Sequence, residues 1–195
     1  MPTFIALLRG INVSGHKLVE MNRLRQSFEA LGFGKVRTYL QSGNVVFEWS
    51  EAASAGIAAK ITGAVTGKIT GTLAEKIERD FGFSVPVTLV TAEALAEVVK
   101  ENPFLKTPGI DLSKLHVTFL SKAPATAGLK KMSMLAAGPD RFSCRGRSVY
   151  LHCPGGYGNT KLSNNAIERA LSVVATTRNW KTVTTLLQMA LFPPG

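Results

Sequence analysis

"KVRTYLQSGNVVFEW", residues 35–49, reads as two strands folded back on each other. Val36, Leu40, Val45, Phe47 and Trp49 fall on one face and Arg37, Tyr39, Gln41 and Glu48 on the other, the alternation expected of half-buried strands. Ser42-Gly43-Asn44 supplies the turn. Before this hairpin, "TFIALLRG" (3–10) is an apolar run of strand length. "MNRLRQSFEALGF" (21–33) places Met21, Leu24, Phe28 and Leu31 at helical spacing, and Gly32 stops the helix. After the hairpin come a helical "LAEKIERDFGF" (73–83) and a strand, "VPVTLVT" (85–91). The predicted order is β-α-β-β-α-β, the ferredoxin-like order.

The second half repeats this grammar. A helix, "AEALAEVVKENPF" (92–104), leads to a strand in "KLHVTFLS" (114–121) and a helix in "AGLKKMSMLAAG" (127–138). "RFSCRGRSVYLHC" (141–153) is a hairpin turning at Gly146-Arg147, "KLSNNAIERALS" (161–172) a helix, "VVATTRNW" (173–180) a short strand and "KTVTTLLQMALF" (181–192) a closing helix. The expected fold is therefore α+β, with two tandem ferredoxin-like halves produced by internal duplication. The first spans 1–91; the second spans 92–195 and includes a connecting helix, 92–103, and the C-terminal helix. Residues 52–72, "AASAGIAAKITGAVTGKITGT", are interrupted by Gly56, Gly63, Gly67 and Gly71 and read as a flexible insertion, since helix-interior glycine costs about 1 kcal/mol relative to alanine.

The chain has 195 residues, 45% of them apolar and 18% charged, a globular composition. Its net charge of +10 is uneven: residues 1–95 hold 10 Lys/Arg against 8 Asp/Glu, residues 96–195 hold 13 against 5. That bias favours anionic partners: nucleic acid, phosphorylated metabolites or acidic surfaces. No apolar run nears the roughly 20 residues needed to span a bilayer, so no membrane association is expected. The first apolar stretch has no basic residue before it and no cleavage site, and reads as a strand. A soluble, cytoplasmic protein is expected. Cys144 and Cys153 fall on one face of the second hairpin, on the order of 13 Å apart, too far for a disulfide; two free, buried thiols are expected.

"ALLRGINVSGHKLVEMNRLRQSFEALGF", "VRTYLQSGNVVFE", "ENPF", "LHVTFLS", "VYLHCPGGYGNTKLSNNAIE" and "ATTRNWKTV" together resemble a bacterial family catalogued as a domain of unknown function, number 1697. The resemblance runs from about Phe4 to Leu191 and implies a duplicated α+β fold. It brings no catalytic residues with it; "RGIN", "QSGN", "KLSN" and "TRNW" are its recurring blocks. The stretch 52–72 departs from the family in length and glycine content.

Three segments carry candidate site residues. In "RGINVSGHK", Gly10 and Gly15 have the spacing of a phosphate-binding P-loop, but His16-Lys17 stand where Lys and Ser/Thr are required, which excludes a nucleoside-triphosphatase loop. A looser anion site formed by Arg9, Gly10, Asn12 and Lys17 remains, against an ordinary strand-to-helix connection in which Asn12 bonds local backbone. In "CPGGYGNTKLSNN", glycines precede Lys161 and Asn164 at a helix start, either an anion site or a link capped by Thr160 or Ser163. In "TTRNWKT", Arg178 can grip a carboxylate or phosphate or can serve structure, while Asn179 or Thr182 caps the next helix and Trp180 reads as a core anchor.

His16, His116 and His152 are scattered without metal-ligand spacing; neither a metal nor a cofactor is expected. Tyr39 and Tyr150 occupy outer faces of the hairpins, but the first strands, apolar on both faces, argue against an open RNA platform. The reading that follows is a binding protein for a small phosphate- or carboxylate-bearing ligand held between the halves by Arg9, Gly10, Asn12, Lys17, Lys161, Asn164, Arg178 and Asn179. Its alternatives are a nucleic-acid-binding protein using the basic second half, and an enzyme acting on an anionic metabolite. Oligomeric state is not legible.

Overall fold

The computed structural model describes residues 1–49, 63–136 and 138–192. β1 (Thr3–Leu8), α1 (Met21–Glu29), β2 (Gly34–Tyr39), β3 (Asn44–Glu48), α2 (Gly63–Phe81) and β4 (Val87–Thr91) come first, followed directly by α3 (Ala92–Lys100). The same series then recurs as β5 (Leu115–Leu120), α4 (Thr126–Leu135), β6 (Arg141–Arg145), β7 (Ser148–His152), α5 (Asn164–Leu171) and β8 (Ala175–Asn179), followed directly by α6 (Trp180–Leu191). Each series makes a four-stranded sheet, ordered β2-β3-β1-β4 and β6-β7-β5-β8, with every pairing antiparallel. This is the ferredoxin-like arrangement, present twice.

Residues 1–95 and 186–195 form one compact unit and residues 96–185 the other. The dividing line therefore falls inside α3 and α6, where a division at 91/92 was expected. Hydrogen bonds within each unit account for it. Arg37 Nη2 donates to the Met189 carbonyl in the first unit, and the Tyr150 hydroxyl donates to the Val98 carbonyl (3.1 Å) in the second.

In the first unit, Phe4, Ala6, Leu8, Val45 and Phe47 from the central strands pack against Leu24 and Phe28 of α1 and Ile69, Leu73 and Ile77 of α2. Phe47 sits at the middle of an aromatic group, with ring centroids of Phe33, Phe28 and Phe4 at 4.6, 5.3 and 5.7 Å. Glu20 caps α1 by accepting from the Asn22 and Arg23 amides. Gly32, at φ +81°, ends its last turn, as its place in the sequence predicts. In the second unit, Leu120, Val149, Leu151 and Ala175 face Met132 of α4 and Ile167 and Leu171 of α5.

Four expectations are corrected. Residues 63–72 are helical, the first turns of α2, because Ile69 and Leu73 bury their side chains in the core and outweigh the glycine cost; residues 52–62 of the expected insertion lie outside the described residues. Leu40 is 53% exposed at φ +57°, because the turn begins at it and swings its side chain off the core face. The connecting helix ends at Lys100, and a 3-10 turn, Pro103–Lys106, follows it. Cys153 is buried, but Cys144, on the edge strand β6, is only half-buried; both are free thiols.

Gly43, at φ +76°, has no room for a side chain: an added Cβ would lie 2.6 Å from Ile11 Cδ1 and 2.8 Å from Leu8 Cβ. Gly43→Ala should lower the unfolding free energy by about 3 kcal/mol through overpacking and the left-handed backbone. Gly71, by contrast, is exposed within α2 with nothing near its missing Cβ. Gly71→Ala should raise stability by about 1 kcal/mol. Urea unfolding of both variants checks the pair, and equal effects would contradict the packing described.

Candidate functional site

The strand registers align the two sheets residue by residue. Leu8 pairs with Val87 in the first sheet as Leu120 pairs with Ala175 in the second, and Leu7 with Asn44 as Phe119 with Ser148. On the helix-covered face, Phe4, Ala6 and Leu89 therefore correspond to His116, Thr118 and Thr177. An apolar row in one unit has become a polar row in the other. The position of Thr91 becomes Asn179, and both cap the helix that follows: Thr91 Oγ1 accepts from the Ala94 amide (3.1 Å) and Asn179 Oδ1 from the Thr182 amide (2.8 Å).

The polar row is a directed chain. Thr177 Oγ1 donates to Asn164 Oδ1 at 2.6 Å, which uses its one proton, so Thr118 Oγ1 must donate to Thr177 across the 2.7 Å contact. Thr118 is fully buried and Asn164 is the first residue of α5, whose N-cap, Ser163, accepts from the Ala166 amide (3.4 Å). With Oδ1 committed to Thr177, the NH₂ of half-buried Asn164 has no protein partner among the described residues and is open to solvent.

His116 lies one step along the same face, opposite Leu151 on β7 and Asn179 on β8. Its residue is 9% exposed, its ring stacks on Tyr157 with centroids 4.8 Å apart, and Nδ1 is buried without a hydrogen-bond partner among the described residues. Burial pushes the imidazole below its ordinary pKa, with the Lys114 carbonyl acting weakly the other way. Burial therefore favours the neutral imidazole.

Two helix amino ends meet at this corner. α5 runs back over the sheet before β8, so its first residue bonds Thr177, and α6 begins two residues later at the cap residue Asn179. The starts are bridged by a stretch of strand about 7 Å long. Each amino end presents N–H groups and partial positive charge. Lys161 is exposed just ahead of α5. The approach to it is anchored by Thr160, whose hydroxyl donates to Asp140 (2.5 Å) and accepts from the Leu162 amide (3.1 Å).

The sequence-predicted residues thus divide. Asn164 bonds Thr177 and Asn179 caps α6 two residues further on, while Lys161 is exposed three residues ahead of α5. Arg178 does not join them: strand alternation turns it to the sheet face opposite α5, across from Val117, where it is buried and its Nη1 donates to the Thr177 carbonyl (3.0 Å). In the first unit, Asn12 (φ +53°) clamps its own loop, donating to the carbonyls of Val19 (3.0 Å) and Gln41 (2.8 Å) and accepting from the Val19 amide (2.8 Å). Lys17 donates to the Ser84 carbonyl (2.7 Å) and lies 5.9 Å from the Phe83 ring. Gly10 provides a φ of +71°, and Arg9 is half-buried with its amide bonded to the Pro86 carbonyl (2.9 Å).

His116, Thr118 and Tyr157 were not singled out from the sequence as ligand-binding. The available signal was "LHVTFL", two polar residues at alternate positions of a strand buried throughout. On the α4 side of α5, Lys131, Leu135, Ala166, Arg169 and Ala170 line an open groove of about 330 Å³; its cations are exposed and none of its lining is a buried polar donor. Among the described residues no cluster of His, Cys, Asp and Glu could hold a metal ion, and no helix is long and apolar enough to cross a membrane.

Fold and site define a duplicated ferredoxin-like α+β protein whose second copy carries a polar core row. The chain belongs to the family described as "Protein of unknown function (DUF1697)", whose model matches residues 1–150. A solved structure of similar fold is that of conserved bacterial protein SP0830 from Streptococcus pneumoniae, 21% identical, with 98% of this chain and 99% of that chain covered and a TM-score of 0.73. No curated protein matches. The family match ends at Tyr150, before α5 and β8 supply Asn164 and Thr177.

Thr177→Val leaves the buried Thr118 hydroxyl without its acceptor and should cost about 2 kcal/mol of stability. Thr118→Ala combined with Thr177→Leu, which restores the residues of the first unit, should cost less than the two single changes added together, because no buried hydroxyl is then left unpaired. A double-mutant cycle by denaturant unfolding checks this; strict additivity would mean the hydroxyl chain is absent.

Proposed function

We propose that this chain is a binding protein for a small anionic ligand, bearing a phosphate or carboxylate, taken up at the polar corner of the second unit. The observation that carries the reading is the replacement of Phe4, Ala6 and Leu89 by His116, Thr118 and Thr177 at equivalent places in two copies of one fold. An apolar row suffices for folding, as the first unit demonstrates. The second unit instead ties Asn164, the first residue of α5, to Thr177 through its side-chain oxygen, which leaves its amide donor for a ligand. Donors and positive charge are the chemistry an anion requires, and the nearby carboxylates of Asp140 and Glu168 accept from Thr160 and the Ala175 amide.

Lys161 would supply full charge, Asn164 a fixed donor, and the first N–H groups of α5 and α6 the remaining bonds. The excess of Lys/Arg in residues 96–195 draws anions toward the unit. The same excess suits a phosphate backbone, so nucleic acid is the competing ligand. Tyr150, the aromatic that a stacking platform would expose, is 1% exposed and bonded to Val98.

Asn164→Asp separates these readings. It keeps the oxygen that accepts from Thr177 and suits a helix start, but exchanges the donor for a negative charge. Calorimetric titration of the full chain with sodium phosphate should show binding that Asn164→Asp weakens at least tenfold, as does Lys161→Ala, the loss expected for a charge-assisted bond. Phosphate binding untouched by Asn164→Asp would overturn the site. Tight binding of single-stranded RNA that collapses with salt, with none of phosphate, would replace it with the nucleic-acid reading.

A further inference from the structure

The duplication sets a phenylalanine and a histidine at the same point of two cores, and the histidine's surroundings bear on what enters. His116 is over nine-tenths buried, in a strand with all six residues buried. Burying an imidazole without a partner for Nδ1 costs free energy that phenylalanine avoids. The ring is held flat against Tyr157, on the sheet face that carries Asn164 and next to the cap residue of α6. His116 pairs directly with Asn179, so its ring stands on the sheet face where α6 begins.

Resting on the anion-binding reading above, we propose that His116 is the proton-accepting group of the site: neutral when the site is empty, it takes one proton from solvent as the anion enters. The proton adds to the lone pair of the unprotonated ring nitrogen, no bond of the ligand breaks, and the complex gains an imidazolium beside the anion. The ligand is then held by an ion pair that exists only in the complex. A permanent cation at this depth would be costly in the empty protein. A group that charges on demand avoids that cost, and the anion compensates the charge it evokes.

The groups around the ring leave its charge to the ligand. Leu151 faces it from β7, Asn179 from β8 and Tyr157 from the turn before α5. The charged or titratable residues on and beside the elements packed there are Lys114, Asp140, His152, Lys161, Glu168, Arg169, Arg178 and Lys181, of which His152 and Arg178 point to the opposite sheet face. Asp140 accepts from Thr160, and Glu168 accepts from the Ala175 amide (3.0 Å), one turn along α5. Among the described residues no carboxylate hydrogen-bonds His116; burial holds its pKa down and the Lys114 carbonyl acts the other way.

Linkage gives the sign. The anion raises the imidazole pKa from its depressed value, so protons are taken up on binding between the free and bound values. Across that window affinity falls about tenfold for each unit that pH rises. Sulfate is the probe, since it has no proton of its own to exchange near neutral pH. The His116 ring resonance of the full chain is followed through a pH titration with and without sodium sulfate. The expected result is a midpoint raised by sulfate, with sulfate affinity strengthening about tenfold per unit of falling pH. His116→Gln should still bind sulfate through Lys161 and Asn164 but lose that slope. Should the variant not fold, the ring titration of the unaltered protein decides alone. Sulfate binding with an unmoved His116 midpoint overturns the proton coupling and leaves the anion site standing. Absence of sulfate binding at every pH overturns both.

Discussion

The constraint on which the rest depends is that β1 from Phe4 onward and β5 throughout are buried on both faces. Every described position from Phe4 to Leu8 and from Leu115 to Leu120 is buried. A side chain there must be apolar or must find its partners within the protein. β1 takes the first course, with its Phe4, Ala6 and Leu8 row in the aromatic core. β5 takes the second at Thr118, whose hydroxyl is satisfied only because Thr177 and Asn164 line up behind it. Two copies of one topology thus reach burial by different chemistry.

That chain of bonds also fixes the start of α5. A helix start is ordinarily held by its cap alone; here Ser163 caps the backbone while Asn164 is tied to the sheet. Glu168, one turn on, bonds the backbone of β8 at Ala175. α5 is therefore pinned to β8 at two levels by side chains, in addition to its apolar contacts through Ile167 and Leu171. Such pinning removes the freedom that would blur a set of donors, which is the physical basis of pre-organised recognition.

Much of the fold was legible because its signals are local. The hairpin at residues 35–49 announces itself by alternation and by Ser42-Gly43-Asn44, and Gly43 proves to be a place where no other residue fits. α2 was misread at its start because three glycines weaken local propensity, whereas burial of Ile69, Leu73 and Ile77 decides the matter from a distance. Lys161, Asn164 and Asn179 were legible as residues at helix starts. Arg178 was not, since "ATTRN" has no apolar alternation to show which face it takes, and its pairing with β5 reverses the expectation. His116 was hidden in an apolar strand whose polar partners lie far along the chain. In the first loop, Asn12 and Lys17 look like ligand groups but are spent on Val19, Gln41 and Ser84.

The central claim is that the polar row of the second unit serves a ligand, and the most direct measurement is a backbone amide shift map of the full chain titrated with sodium sulfate. The account expects the largest movements at Asn164, Asn165, Trp180 and Lys181, the first amides of α5 and α6, with His116 moving alongside them. Movements centred on Arg9 to Lys17, or none at α5 and α6, would contradict it.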